Sequence, residues 1–481
     1  MAAGAIAGSS WGKELREFGW LARVVFFAAL FMAADAGCSA QVTLEAGTVS
    51  SRTDAWLKPY VESGDFSGVV LLAQGDKILF QKAYGLADAQ VHSPNRIETR
   101  FRIASLSKTF TAAAVEKLVR EGKLRYSDRL SKYVPEIPNS DSITIEQLLT
   151  HESGVGILDS EEIFRECLSR QDLLQRLAKA KPLFAPGEKS QYSNEGYFVL
   201  AAVIERVSGA SYKEFLGKNF FVALSMENSG TACRDLPDGR NAYGRVATES
   251  EERSRPLPFN EAALDGAGSV YSNVQDLYRW LKAVDSNPQI DVSKLDYPYG
   301  WGKRKYSTRE LIEQSGQLEG FVSHLAFYPK EHIYAIVLSN VQSGFANRIA
   351  SDLEAVLFGG TVSQPPAMTA VTLGERSMRQ YIGGYHSKET PYAQTLAIRD
   401  GQIAMHWGSD PFWREMMMVD GDTFFLRAEY ARIHFERGAD GNVHGMTWSW
   451  PAAAGSPGGA HLSFEKNVIS SNPPPAVLEN Q

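Results

Sequence analysis

Phe101-Arg102-Ile103-Ala104-Ser105-Leu106-Ser107-Lys108-Thr109-Phe110-Thr111-Ala112 places a hydroxyl and an amine three residues apart at the start of a helical pattern. Apolar residues at Phe110, Ala114, Val115, Leu118 and Val119 carry that pattern on towards Gly122. Residues at i and i+3 share a helix face, so Ser105 and Lys108 point the same way. An amine kept neutral by burial or by a neighbouring cation can take the serine proton. Free N–H groups at a helix start favour negative charge developing beside Ser105. These are the parts of an acyl-transfer nucleophile; the plain alternative is a solvated pair on an ordinary amphipathic helix. The tetrad Ser-x-x-Lys recurs at Ser10/Lys13 and Ser463/Lys466. Ser10 lies in a polar amino-terminal segment and Ser463 in a strand-like stretch, so only Ser105 has the helical context.

Tyr192-Ser193-Asn194 adds a second group of functional side chains, between Pro186-Gly187 and an apolar helix-like run from Phe198 to Val207. A phenol there can relay a proton to a leaving group, and an amide can orient Lys108 or the substrate. Tyr271-Ser272-Asn273 repeats the tripeptide but leads directly into Val274-Gln275-Asp276-Leu277, where Ser272 or Asn273 reads as a helix cap. Tyr192 is therefore the preferred candidate.

With these motifs the chain resembles the serine β-lactamase and penicillin-binding-protein superfamily. It is most similar to the class C-type branch that includes D-alanyl-D-alanine carboxypeptidases and carboxylesterases. The resemblance runs from about Gly68 to Phe358 and includes Leu148-Leu149-Thr150-His151-Glu152-Ser153-Gly154, Gly196-Tyr197, Gly266-Ala267-Gly268-Ser269-Val270 and Tyr299-Gly300-Trp301-Gly302. It implies Ser105 as nucleophile, Lys108 as base, Tyr192 as proton relay and Asn194 as positioning residue. It also implies an oxyanion hole made by the backbone N–H groups of Ser105 and Gln317, and a substrate-binding strand containing Gln314, Ser315 and Gly316. The family carries Lys-Thr/Ser-Gly or His-x-Gly on that strand, whereas this chain reads Gln314-Ser315-Gly316. Gln314 brings no positive charge, so an anchor for a substrate carboxylate is missing and the help it gives in keeping Lys108 neutral is reduced. The resemblance implies a hydrolase acting on an ester, a D-amino-acid peptide or a β-lactam-like amide, with a cell-wall-derived peptide among its candidate substrates. The alternative is a degenerate penicillin-binding-like protein that captures such ligands without turnover. His151 reads as a support beneath the site and His324 as a sheet residue, and Glu195 has no assigned use.

The 481 residues suffice for one large and one smaller domain. A net charge of −7 argues against nucleic acid as the main partner. No paired His/Glu spacing or phosphate loop calls for a metal or cofactor. Lys13, Arg16 and Arg23 precede the apolar run Val24 to Ala34 and the small residues Ala36-Gly37-Cys38-Ser39-Ala40. Residues 1–40 thus read as a signal peptide for secretion or export to the periplasm, with a lipoprotein site at Cys38 or an uncleaved membrane anchor as alternatives. Cys167 and Cys233 could pair in an oxidising compartment, but their spacing decides nothing.

The expected body, 41–360, is α/β (α+β): an antiparallel sheet made from both ends of the domain and flanked by helices, with an inserted helical subdomain. Its elements are a helix from near Ser51, a hairpin from Val69 to Tyr84, strands at Leu311–Gln314, Phe321–Tyr328 and Ile333–Ser339, and a last helix from Ala346 to Leu357. A linker, 361–372, leads to hairpins with Asp-Gly turns at Asp400, Asp420 and Asp440. These predict a small all-β barrel or sandwich over 373–468, similar to the lipocalin-like accessory domain behind some family members. Its aromatics, Trp407, Phe412, Trp413, Phe424, Phe425, Trp448 and Trp450, read as core. Residues 469–481 read as a disordered tail.

Overall fold

The computed structural model of the protein describes residues 43–158, 168–231, 239–247, 261–286, 299–306, 309–366, 369, 371–387, 393–407, 413–450 and 461–466. Residues 1–40, where a signal peptide is expected, with Ser10/Lys13 and Cys38, and Cys167, Cys233, Phe412 and residues 469–481 lie outside the described residues.

Helix α1 (Ala46–Glu62) precedes the hairpin of β1 (Gly68–Gln74) and β2 (Lys77–Tyr84), whose turn holds Gly75-Asp76 as the sequence predicts. It begins at Ala46 rather than near Ser51, because Val49 is buried and accepts a bond from the buried Thr53 hydroxyl at 2.7 Å. The chain then enters a helical region containing α2 (Ser107–Arg120), α3 (Asn194–Ser208) and α4 (Val274–Asp285). It returns as β3 (Gly302–Tyr306), β4 (Arg309–Leu318), β5 (Phe321–Tyr328) and β6 (Ile333–Ser339), followed by α5 (Ala346–Phe358). These six strands form one antiparallel sheet in the order β2-β1-β6-β5-β4-β3. Gly68 opposite Ser339 and Gln74 opposite Ile333 join the first strand to the last. The sheet is thus built from both ends of the domain.

Period-two alternation sends the two faces of β1 into different cores. Val69, Leu71 and Ala73 share a core with Phe110 and Val115 of α2 and Phe198 and Leu200 of α3. On the other face, α1 and α5 pack on the sheet. There Trp56, Tyr60 and Phe66 surround Phe345 with ring centroids 5.4, 4.5 and 5.2 Å away. Each such buried ring contributes roughly 1.5–3 kcal/mol of apolar transfer. Strand β3 was not legible in the apolar pattern, since Gly302-Lys303-Arg304-Lys305 has none. Ion pairs tie it to β4, Arg304 with Glu313 at 2.6 Å and Lys303 with Glu310 at 3.6 Å.

The carboxy-terminal strands are β7 (Gly383–His386), β8 (Gln394–Arg399), β9 (Gln402–Trp407), β10 (Arg414–Asp420), β11 (Thr423–Leu426), β12 (Ala431–Arg437), β13 (Val443–Ser449) and β14 (His461–Lys466). Each pairs with the next and β7 pairs with β14, so the choice between barrel and sandwich falls to a closed barrel. Asp400 at φ +50° and Gly401 at φ +79° give the β8–β9 turn two positive φ values, the type I′ signature. Phe424, Phe425 and Trp448 are buried, whereas Trp407, Trp413 and Trp450 are only partly so. The barrel touches the first domain through Tyr430 packed on Gly344, through Arg427 bonded to Asp65 at 2.7 Å, and through Arg414. Between the two, Ser363 is buried, its amide and hydroxyl donating to Asp352 at 3.0 and 2.8 Å.

Candidate active site

Ser105 sits in a single 3₁₀ turn, Ala104–Leu106, immediately ahead of α2. Ala104 holds φ +48°, a left-handed conformation costing of order 1–2 kcal/mol for a residue with a Cβ. Neighbouring elements hold the strained backbone from both sides. Ile103 donates its amide to Val270 at 3.0 Å and accepts from the Ser323 hydroxyl of β5 at 2.7 Å. The Ser107 hydroxyl accepts from the Val270 amide at 3.0 Å. Ser105 is thereby presented at the junction of sheet and helices.

Lys108 is fully buried, with Nζ 3.3 Å from Ser105 Oγ. That amine donates to Asn194 Oδ1 at 2.8 Å and to the Ala267 carbonyl at 3.0 Å. It also lies 4.6 Å from the centroid of the Tyr192 ring. Burial pulls its pKa down to about 7, against the opposing charge of Glu195, so a large neutral fraction exists at neutral pH. The reduced electrostatic help expected from Gln314 therefore matters less than burial does. The Tyr192 hydroxyl donates to Ser105 Oγ at 2.7 Å, and the residue is 52% exposed, leaving the phenol open to a ligand.

Local structure explains how Tyr192 and Asn194 come to flank Ser105. Ser193 is the N-cap of α3, its hydroxyl accepting from the Gly196 amide at 2.9 Å. Asn194 therefore begins the helix while Tyr192 remains in the loop before it. His151 Nδ1 accepts from the Ser193 amide at 3.0 Å, and the imidazole lies 4.7 Å from the Tyr192 ring. Burial, helped by the Lys108 charge, pushes the His151 pKa down to about 4, so this support is neutral at working pH. Glu195 is partly buried, its carboxylate accepting from the Leu158 amide at 3.3 Å, and desolvation pushes its pKa up.

Strand β4 forms the opposite wall. A Cβ at Gly316 would lie 2.4 Å from the Ile103 carbonyl and 3.0 Å from the Ser105 amide, so only bare backbone fits there. Gln317 follows directly on that strand. The Gln314 side chain accepts from the Ser315 amide at 3.2 Å. Ser315 is exposed, with Oγ 2.8 Å from Nδ1 of the buried His324. Pairing of β3 with β4 ends at Glu313 opposite Gly302, so among the described residues Gln314–Leu318 has no strand on that side. That open edge borders the serine.

The two repeated motifs behave as the sequence context suggests. Asn273 caps α4, accepting from the Asp276 amide at 2.9 Å. Ser463 and Lys466 lie on β14, where residues three apart face opposite ways, and Lys466 donates to the Gln380 carbonyl at 2.7 Å. Sequence reasoning missed the Ala267 carbonyl that holds Lys108, because a backbone acceptor has no residue-type signature. It also missed the Ser315–His324 contact, though both residues lie in strand patterns that the sequence shows.

A helical insertion in an antiparallel sheet, with serine, lysine and tyrosine converging at their junction, defines a protein of the serine β-lactamase and penicillin-binding-protein type. Residues 53–357 match the Beta-lactamase family, and the chain belongs to that family of serine hydrolases. Penicillin-binding protein 4* of Bacillus subtilis (strain 168) is 26% identical over 424 residues, covering 79% of this chain and 92% of that protein. A crystal structure of a penicillin binding protein from Bacillus halodurans aligns with TM-score 0.54 and 29% identity, over 62% of this chain and 99% of that one. The D-amino acid amidase from Ochrobactrum anthropi SV3 shares the fold at TM-score 0.53 and 21% identity, over 61% of this chain and 91% of that one.

Proposed function

We propose that the protein is an acyl-enzyme hydrolase with Ser105 as nucleophile, acting on an ester or D-amino-acid peptide in preference to a β-lactam. The observation that carries this reading is one serine oxygen within 2.7 Å of a phenol and 3.3 Å of an amine whose pKa has fallen to about 7. Neutral Lys108 takes the Ser105 proton as the Oγ–carbonyl carbon bond forms. The backbone N–H groups of Ser105 and Gln317 hold the oxyanion. Tyr192 gives its proton to the leaving oxygen or nitrogen as that atom's bond to the acyl carbon breaks and is reprotonated by Lys108, which restores the neutral amine, and Asn194 keeps Lys108 aligned. Water then attacks the ester, its proton returning through the same pair, and releases the acid with Ser105 restored.

The preference against β-lactams follows from Gln314, which offers an amide where a carboxylate-bearing ligand needs a cation. An extracytoplasmic location, through export directed by residues 1–40, accompanies this reading. The experiment is intact-protein mass spectrometry after exposure to a fluorophosphonate, together with turnover of p-nitrophenyl esters, D-amino-acid peptides and nitrocefin. A single adduct at Ser105, and ester turnover that vanishes in a folded Ser105→Ala variant, are expected. Reversible ligand binding without any adduct supports the non-catalytic reading instead, and fast nitrocefin turnover refutes the use made of Gln314.

A further inference from the structure

The β4–β5 turn next to the serine is gripped by the barrel. Gln317 pairs with Val322 and Leu318 with Phe321, so Glu319 and Gly320 alone make the turn. Glu319 is 8% exposed and Arg414, from β10 of the barrel, is 3% exposed, with a guanidinium nitrogen 3.3 Å from the carboxylate. The same guanidinium lies 4.3 Å from the centroid of the Trp407 ring on β9, a cation–π contact. Removing one partner of a buried ion pair strands the other charge, so such a contact holds its two elements in one arrangement. From within the first domain, the Gly320 amide donates to Gln342 Oε1 at 3.1 Å. Strand β4, which ends at this turn, leads back through Gln317 to Gly316, which lies against the Ser105 backbone. Oxyanion stabilisation depends on donors being preset, and a displacement of about 1 Å can cost a hundredfold in rate.

We propose that Arg414 is a positioning residue for acyl transfer: through Glu319 it holds the β4–β5 turn and thereby sets the Gln317 amide against Ser105. The inference rests on the acyl-hydrolase reading of Ser105. Neither Arg414 nor Glu319 touches the reacting atoms. The barrel is on this view part of the catalytic frame, and the site is incompletely ordered without it.

The test compares full-length Arg414→Gln, Arg414→Lys and Glu319→Gln with Arg427→Gln, which breaks the separate barrel contact to Asp65. Steady-state turnover of p-nitrophenyl butyrate and the rate of fluorophosphonate adduct formation are measured alongside thermal stability. Arg414→Gln and Glu319→Gln should lower kcat and the adduct rate together by about tenfold or more, with KM within about twofold. Arg414→Lys should recover part of the loss, and Arg427→Gln should keep kcat within about twofold even where it lowers Tm. Unchanged kcat and adduct rate in Glu319→Gln overturn the proposal. So does an equal loss in Arg427→Gln, which would assign the effect to barrel docking in general. Should Arg414→Gln not fold, the isosteric Glu319→Gln decides alone. A wild-type chain that forms no adduct at Ser105 defeats the hydrolase reading itself, whereas equal adduct rates in wild type and variants defeat only the positioning role.

Discussion

The barrel and the junction of α2 with β4 are built on opposite terms. In the barrel, local preference and packing agree. Strand β12 turns Ala431, Ile433 and Phe435 inward and Arg432, His434 and Glu436 outward, and Asp400-Gly401 supplies the backbone its turn requires. At the junction they conflict. A lysine is wholly buried, a partly buried glutamate whose pKa is raised by desolvation follows Asn194, and Ala104 and His151 hold φ values of +48° and +62° that suit glycine better. Burying an ammonium group costs several kcal/mol even after relaxation. The fold offsets that cost with the Asn194 and Ala267 contacts and receives in return an amine with a large neutral fraction near pH 7. Strain and buried charge thus gather around Ser105, whereas the barrel's buried cation, Arg414, lies where the barrel meets the first domain.

The strongest challenge to this contrast is Lys108→Met, which removes the buried amine while keeping an unbranched side chain. Ester turnover should fall by about a thousandfold, yet Tm at pH 6 should hold or rise, because the desolvated cation is gone. A variant that loses activity and stability together would show the junction to be ordinary packing. The same amine dictates the pH profile. Only its neutral form accepts the Ser105 proton, so kcat/KM should climb through an apparent pKa near 7 and level off above it. A flat profile from pH 5 to 9 would remove Lys108 from the base role. At the other pole, Phe435→Ala opens a cavity among Tyr381, Tyr385 and Phe424, whose rings lie 4.8, 5.9 and 5.3 Å away. It should cost about 3–5 kcal/mol in chemical denaturation, while the protein that remains folded keeps its kcat.

The legibility of the two regions divides along the same line. The convergence of Ser105, Lys108, Tyr192 and Asn194 was foreshadowed because each pair has a fixed local spacing beside a helix start. The barrel hairpins were readable because Asp-Gly turns and alternating strands state the same structure twice. What stayed hidden has no local signature. The Ala267 carbonyl that holds Lys108 is backbone, and β3 is tied to β4 by charge rather than by an apolar pattern. The left-handed Ala104 is imposed by Val270 and Ser323, both far away in sequence. The reach of Arg414 to Glu319 likewise exists only after folding, as does the choice of Asn273 over Ser272 as the cap of α4.

Two glycines offer the finest comparison, because the same substitution meets different physics in each region. At Gly316 an added methyl would collide with the Ile103 carbonyl at 2.4 Å and the Ser323 hydroxyl at 2.5 Å, and the carbonyl is backbone that cannot swing aside. Strand β4 must then retreat from the Ser105 turn, and Gly316→Ala should cut acylation by about a hundredfold. At Gly401 nothing lies within 4 Å of the same methyl, so only the φ of +79° resists it. Gly401→Ala should therefore cost about 1 kcal/mol in barrel stability and leave acylation untouched. Denaturant midpoints and fluorophosphonate labelling of both variants measure the two effects side by side. If Gly401→Ala slowed acylation as much as Gly316→Ala, backbone strain in the barrel would reach the serine by some route other than the Glu319 turn. The separation of the regions would then fail at its smallest scale.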